Sequence, residues 1–466
     1  MTLIKSISGI RGTIGGVPEQ NLTPIDAVKF AAAYGTWLKS QSNQEKIKVV
    51  VGRDARLSGE MIQNLVTYTL VGLGIDVIDL GLSTTPTVEV AVPMEKANGG
   101  IILTASHNPK QWNALKLLNE KGEFLSGKEG EKILKIAEAN DFNFAEVDHL
   151  GKIQKDDSYI EKHIQAVLEL PILDLEAIKK RKFKVVVDAV NSTGGIAIPQ
   201  LLEKLGVNVI KLYCEPNGHF PHNPEPLREH LSDISQKVVE EKADFGIVVD
   251  PDVDRLALIC EDGEMFGEEY TLVACADYVL GKTSGNTASN LSSSRALRDI
   301  TEKRGVNYFA SAVGEVNVVE IMKKHQVIIG GEGNGGIIYP ELHYGRDALV
   351  GVALFLSLLA TRNVFSVKKL RESYPAYFMS KNKIELTPEV NVDAILIQMA
   401  EKYSNENVNT IDGVKIDFAD SWVHLRKSNT EPIIRIYTEA KTQKQADELA
   451  QKIKSEIENF GVTHKN

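Results

Sequence analysis

Short runs of β-branched residues alternate along this chain with longer stretches whose apolar positions recur at helical spacing. IKVVVG (47–52), DVIDLG (76–81) and GGIILTAS (99–106) read as strands, and the alternation predicts α/β layering. The pattern repeats. LGIDVIDL (73–80) matches LGVNVIKL (205–212), KVVVGRDARLSG (48–59) is echoed by KVVVDAVNSTGG (184–195), and a third copy opens at RGVNYFAS (304–311). Each copy runs an apolar strand into a polar loop: IILTASHNP, GIVVDPDVDR and VIIGGEGNGG. Ligands in α/β sheets bind beyond the carboxyl ends of strands, so the spacing predicts three loops converging on one cleft.

From about residue 375 the texture changes to KNKIELTP, VKIDFADSWVHLRKS, IIRIYTEA and a closing helical stretch, which predicts a smaller α+β domain. Polar helical stretches near 127–140 and 155–168 carry the chain from the first domain into the second. The expected organisation is therefore 1–150 with the serine loop, 151–255 with the acidic loop, 256–372 with the glycine-rich loop, and 373–466. At 466 residues the chain is too long for one undivided core. Apolar residues at 43% and charged residues at 25% are those of an ordinary globular protein. The net charge is −10, with no Lys/Arg block, which argues against nucleic acid as a partner. Three scattered cysteines, Cys214, Cys260 and Cys275, fit neither a disulfide framework nor a zinc site, and a reducing cytoplasm is expected. The start MTLIKSISGIRG lacks the apolar core of a signal peptide. The most apolar run, 349–360, is shorter than the roughly 20 residues a bilayer requires and suits a buried helix.

Four loops carry candidate chemistry. In Thr104-Ala105-Ser106-His107-Asn108-Pro109, Pro109 biases Asn108 away from helix, so Ser106 should sit on an irregular turn with its hydroxyl available; the competing reading is an ordinary turn. In Asp250-Pro251-Asp252-Val253-Asp254-Arg255, three alternating carboxylates repel one another unless a hard divalent cation neutralises them or water solvates them. An EF-hand is rejected because Arg255 stands where its glycine is needed and strands flank the loop. Gly331-Glu332-Gly333-Asn334-Gly335-Gly336 formally contains GxGxxG, but the extended IIYPEL follows where a dinucleotide fingerprint requires a helix. Glu332 and Asn334 suit adjacent sugar hydroxyls instead. GKTS (281–284) lacks the first glycine of a phosphate loop. Finally, Arg426-Lys427-Ser428-Asn429-Thr430-Glu431-Pro432, with Arg435 beyond, holds the parts of a phosphate clamp or of a solvated basic turn.

TASHNP, DPDVDR, GEGNGG and RKSNTEP, together with the opening SGIRGTIGG, resemble the α-D-phosphohexomutase family of phosphoglucomutases, phosphomannomutases and phosphoglucosamine mutases, over essentially the whole chain. The resemblance implies α/β architecture: four domains around a central cleft, the first three duplicated mixed α/β domains, the fourth a smaller α+β domain. It implies that Ser106 carries phosphate and that Asp250, Asp252 and Asp254 bind Mg²⁺ with a phosphoserine oxygen. Lys116 would be the general acid/base, Arg11 and Arg255 would stabilise the transferring group, and His107 would stand beside them in the catalytic set. Glu332 and Asn334 would hold sugar hydroxyls; Arg426, Ser428, Asn429, Thr430 and Arg435 would grip the phosphate that is not reacting. The implied activity interconverts a hexose or hexosamine 6-phosphate and 1-phosphate through a 1,6-bisphosphate, with glucosamine phosphate favoured. Mannose and glucose phosphates are the alternatives inside the family, and a Mg²⁺-dependent sugar-phosphate phosphatase is the alternative outside it. The chain departs from the family pattern at Asn334 and Gly336, where many bacterial members have serine and histidine. It departs again at Ala114, a common glycine position, where a changed turn before Lys116 is expected.

Overall fold

The central strand Lys48–Arg53 shows how the hydrophobic pattern becomes layers. Val49 and Val51 point into one core beneath the helices Pro24–Gln41 and Gly59–Gly72, while Val50 points into another with Val88, Ala91 and Val92 of the helix Thr85–Met94. A strand covered on both faces must be apolar at consecutive positions. Each of these valines is fully buried, which contributes about 1.5–3 kcal/mol per side chain.

The computed structural model describes residues 2–6, 9–42, 44, 46–385, 391–427 and 433–463, with side chains as far as 459. The chain divides into two units, Met1–Lys282 with Asn334–Lys369, and Thr283–Gly333 with Leu370–Asn466. In the first unit seven strands form one sheet in the order Ile4–Ser6, Gly9–Thr13, Trp112–Leu118, Gly99–Leu103, Lys48–Arg53, Asp76–Leu82, Ile153–Lys155. A second sheet in the same unit runs Leu256–Ile259, Phe245–Val249, Lys184–Asp188, Asn208–Leu212. The strand Leu256–Ile259 pairs antiparallel with Phe245–Val249, so this sheet continues past Arg255 into the stretch that the spacing assigns to the third domain.

In the second unit, Tyr308–Ser311, Asn286–Asn290 and Val327–Glu332 pair in parallel. A five-stranded antiparallel sheet follows in the order Phe378–Glu385, Ile433–Ala440, Trp422–Lys427, Val414–Asp417, Asn407–Asn409. The helices Val392–Lys402 and Gln443–Thr463 contribute Ile395, Met399, Ile453 and Ile457 to its core.

The repeats read from the sequence reappear as topology. Lys48–Arg53, Lys184–Asp188 and Asn286–Asn290 each pair on one side with the strand that follows an intervening helix and on the other with a loop-bearing strand. The run 349–360 lies inside the helix Ala348–Thr361, capped by Asp347, whose Oδ1 accepts from Leu349 N at 2.7 Å; positions 348–360 are all buried. Among the described residues no helix is long and apolar enough to cross a membrane.

Candidate active site

The strand Gly99–Leu103 delivers Ser106 into a turn at φ +49°, and Phe245–Val249 delivers Val253 into a turn at φ +65°. A non-glycine residue held in the left-handed region costs of order 1–3 kcal/mol and persists only where its surroundings enforce it. At the serine loop the enforcement comes from Arg56, whose buried guanidinium donates to the carbonyls of Ser106, Asn108 (2.7 Å), Pro109 (2.8 Å) and Trp112 (3.0 Å). Asp54 Oδ2 holds Arg56 Nε at 3.0 Å and accepts from Thr104 Oγ1 at 2.7 Å; Thr104 Oγ1 in turn receives Ser106 N at 2.9 Å.

The serine and acidic loops meet. Ser106 Oγ donates to Asp250 Oδ2 at 2.7 Å and lies 3.4 Å from His107 Nδ1. This corrects the expected availability of the hydroxyl: Ser106 is only 4% exposed, because the acidic loop packs over it. Asp250, Asp252 and Asp254 are buried as well, which removes the solvated-turn reading. Lys116 Nζ lies 2.7 Å from Asp252 Oδ2 and 3.6 Å from Asp254 Oδ2, Arg346 donates to Asp254 Oδ2 at 2.6 Å, and Thr85 Oγ1 donates to Asp252 Oδ2 at 2.6 Å. Arg255 N donates to Asp250 Oδ1 at 3.2 Å, while its side chain lies 3.9 Å from Asp254 and 3.7 Å from Glu225.

Ala114 does not alter a turn. It lies within the strand Trp112–Leu118, directly opposite Arg11, and the period of two places Arg11, Ala114 and Lys116 on one sheet face. Arg11 donates to Asn108 Oδ1 at 3.0 Å. Of the glycine-rich loop, Asn334 Oδ1 accepts from Gly336 N at 3.2 Å and Gly335 O accepts from Leu256 N at 3.0 Å. A Cβ at Gly336 would stand 2.3 Å from Arg346 Cδ, so Arg346 occupies the space that a side chain at this position would need.

Burial first, then the neighbouring Asp254 and Asp252, push the Asp250 carboxyl well above the usual carboxylate range. Burial would raise Asp252 too, but Lys116 and Thr85 outweigh it and hold that group ionised. Burial would likewise lower Lys116, yet Asp252 and Asp254 raise it and keep it an ammonium. His107 is pushed down to about 2 by burial and by Arg255 and Arg11, so its ring is neutral at physiological pH.

The donor set fits a divalent cation. One oxygen from each aspartate lies within 4.8 Å of the others, and the buried Oδ1 atoms of Asp252 and Asp254 have no hydrogen-bond partner among the described residues. Oxygen-only, carboxylate-rich ligation is what hard cations select.

In the second unit, Glu332 Oε1 accepts from Asn290 Nδ2 at 2.8 Å and from Gly314 N at 3.1 Å. Arg426 pairs with Asp412 at 2.8 Å and stands directly opposite Arg435, which itself stands opposite Lys383. Cations in one cross-strand row repel, and here Asp412 beside Arg426 and Glu385, 3.1 Å from Lys383, offset part of that repulsion. Ser428, Asn429 and Thr430 lie outside the described residues.

Sequence reasoning passed over Arg56, Asp54, Thr85 and Arg346. GRDAR is visible as charged punctuation after one apolar run and GRDAL as the same before another, but nothing along the chain says which carbonyl or carboxylate each side chain meets.

Comparison with known proteins agrees along most of the chain. Family models described as phosphoglucomutase/phosphomannomutase match as α/β/α domain I over residues 4–144, domain II over 157–263, domain III over 267–377 and the C-terminal domain over 383–456. A phosphoglucomutase/phosphomannomutase of Thermococcus kodakarensis is 37% identical, covering 94% of this chain and 96% of its own. A phosphoglucosamine/phosphogalactosamine mutase of Sulfurisphaera tokodaii is 32% identical, covering 96% and 98%. The crystal structure of a phosphoglucomutase/phosphomannomutase family protein from Burkholderia thailandensis has the same fold, with a TM-score of 0.84 at 24% identity over 98% of this chain and 97% of its own.

Proposed function

Because this chain belongs to the phosphoglucomutase/phosphomannomutase family, and is therefore a phosphohexomutase, we propose that it interconverts glucosamine 6-phosphate and glucosamine 1-phosphate through a phosphorylated Ser106. The observation that carries this reading is the hydrogen bond from Ser106 Oγ to Asp250 beside a lysine-paired Asp252. Phosphoryl transfer depends mostly on positioning and charge neutralisation, and here a hydroxyl stands among carboxylates, a lysine and arginines.

Asp250, Asp252 and Asp254 would hold Mg²⁺ together with an oxygen of phosphoserine, and the ion would neutralise charge on the transferring group. A distant relative of the same fold, the Aspergillus fumigatus N-acetylphosphoglucosamine mutase, has been crystallised with GlcNAc-6P and magnesium. In the forward half-reaction the free sugar hydroxyl forms a bond to phosphorus as the Ser106 Oγ–P bond breaks. Lys116, held as an ammonium, would give a proton to the departing Ser106 Oγ and take the sugar hydroxyl proton in return. The bisphosphate then turns over and returns its other phosphate to Ser106. Arg11 and Arg255 would face the transferring group, and neutral His107 would act through hydrogen bonding alone. Glu332 and Asn334 would orient the sugar. Arg426, Arg435 and the Ser428–Thr430 segment would grip the second phosphate, a role supported by the row of cations across the C-terminal sheet.

The aminosugar follows the Sulfurisphaera relative; the Thermococcus relative, named for glucose and mannose phosphates, supports a second reading. Side-by-side kcat/KM values for glucosamine, glucose and mannose phosphates separate the two. A ten-fold or greater preference for glucose or mannose overturns the aminosugar assignment. Stoichiometric phosphate mapped to Ser106 tests the chemistry independently of the sugar.

A further inference from the structure

The helix Thr85–Met94, which holds Asp252 through Thr85, also carries Thr87 and Glu89, both buried in a second polar cluster. His163, from the helix Tyr159–Leu168, is fully buried and points Nε2 at Asp347 Oδ2 across 3.0 Å. His343 points its own Nε2 at the same oxygen across 3.3 Å. The two rings stand nearly perpendicular, with centroids 6.1 Å apart.

The outward nitrogens face polar groups too, His163 Nδ1 within a hydrogen bond and His343 Nδ1 at ion-pair distance only. His163 Nδ1 lies 3.0 Å from Thr87 Oγ1, and His343 Nδ1 lies 3.4 Å from Glu89 Oε2. Asp347 Oδ1 is engaged by the backbone of the helix it caps, which aims Oδ2 at the two imidazoles. Gly345 makes the approach of Glu89 sterically feasible, since a Cβ there would fall 1.9 Å from Glu89 Oε2.

Two features of this cluster suit a metal. One ligand atom from each of His163, His343 and Asp347 lies within 4.8 Å of the others, close enough to share one ion at Zn–N distances of about 2.0–2.1 Å, although the 3.0 and 3.3 Å contacts to Asp347 are also ordinary hydrogen-bond lengths. Histidines that ligate metal through Nε2 characteristically donate Nδ1–H to a hydroxyl, carbonyl or carboxylate, the arrangement Thr87 supplies at His163, while the Glu89 carboxylate stands 3.4 Å from His343 Nδ1. Charge agrees as well, because the two buried carboxylates, Asp347 and Glu89, balance one divalent ion carried on neutral imidazoles. Imidazole with a single ligating carboxylate selects Zn²⁺ over Mg²⁺, whereas the three aspartates select the reverse.

We propose that His163 Nε2, His343 Nε2 and Asp347 Oδ2 form a zinc site separate from the aspartate site, with Thr87 and Glu89 orienting the imidazoles and solvent completing the coordination at the partly exposed His343. On binding, the ion replaces the Nε2 protons, which leave to solvent. The site pins the helix Thr85–Met94 to the residue next to Arg346, so the zinc ligands would act as positioning residues for Asp252 and Asp254.

Full-length protein is stripped with chelator, exchanged into excess Mg²⁺ to fill the aspartates, and titrated with zinc chloride against a chromophoric zinc chelator. One equivalent of zinc should bind per chain, persist in Asp250→Asn and be lost in His343→Gln. The edge position of His343 should let that variant fold, which circular dichroism checks. X-ray absorption at the zinc edge should show scattering from two imidazoles. No zinc uptake, uptake unchanged in His343→Gln, or an oxygen-only zinc shell would each overturn the proposal.

Discussion

Ser106 Oγ and Asp250 Oδ2 meet at 2.7 Å although 144 positions separate them in the chain. That contact joins the strand ends of two repeats, and it sets the candidate nucleophile against a carboxylate that burial and two neighbouring aspartates disfavour as a charge. Several measurable consequences come from this arrangement.

Ser106→Ala should abolish mutase turnover and all phosphate on that peptide. The lost hydrogen bond is worth about 0.5–1.5 kcal/mol, so the variant should stay folded. A phosphate-free map alongside activity above a few per cent of wild type would remove Ser106 from the reaction.

Asp250→Asn should stabilise the metal-free protein at neutral pH while ending activity. The Asp250 carboxyl ionises at higher pH in the folded than in the unfolded chain, so the folded state loses stability as pH climbs from about 3.8 through the raised value. Thermal melts in chelator at pH 7 and below pH 4 test the sign: the variant should melt higher than wild type at pH 7, and the difference should shrink in acid. In parallel, chelator should stop wild-type turnover, and Mg²⁺ should restore it.

Arg56→Lys keeps the positive charge but cannot reach four carbonyls with one ammonium. We expect kcat to fall at least ten-fold and the serine loop to gain amide exchange. Arg56→Ala should cost about 3–5 kcal/mol in denaturant melts, because Asp54 would remain buried without its partner. Wild-type kcat in Arg56→Lys would show that the turn holds its own shape.

Arg426→Ala should weaken hexose phosphate binding by roughly 2–4 kcal/mol, with kcat less affected than KM. Lys383→Ala, at the outer end of the same cationic row, should weaken binding less and flatten its salt dependence. Unchanged KM in Arg426→Ala would remove this sheet from phosphate recognition.

Much of this organisation is carried by local pattern. Period-two and period-3.6 spacing reflect backbone geometry that each segment adopts by itself, so the three repeats, the helix over 349–360 and the loops at 104–109 and 250–255 were legible along the chain. Partners are another matter. That Arg56 clamps the serine turn, that Thr85 and Arg346 take one oxygen each from Asp252 and Asp254, and that Ala114 pairs with Arg11 in a strand depend on residues brought together only by folding. Burial belongs to the same class. His107 reads as an ordinary turn histidine in the sequence, and only its enclosure with Arg255 and Arg11 makes it permanently neutral. The chain alone dictates which side chains stand at the ends of which strands, whereas distance and dielectric, which decide their charge and chemistry, exist only once the strands have packed.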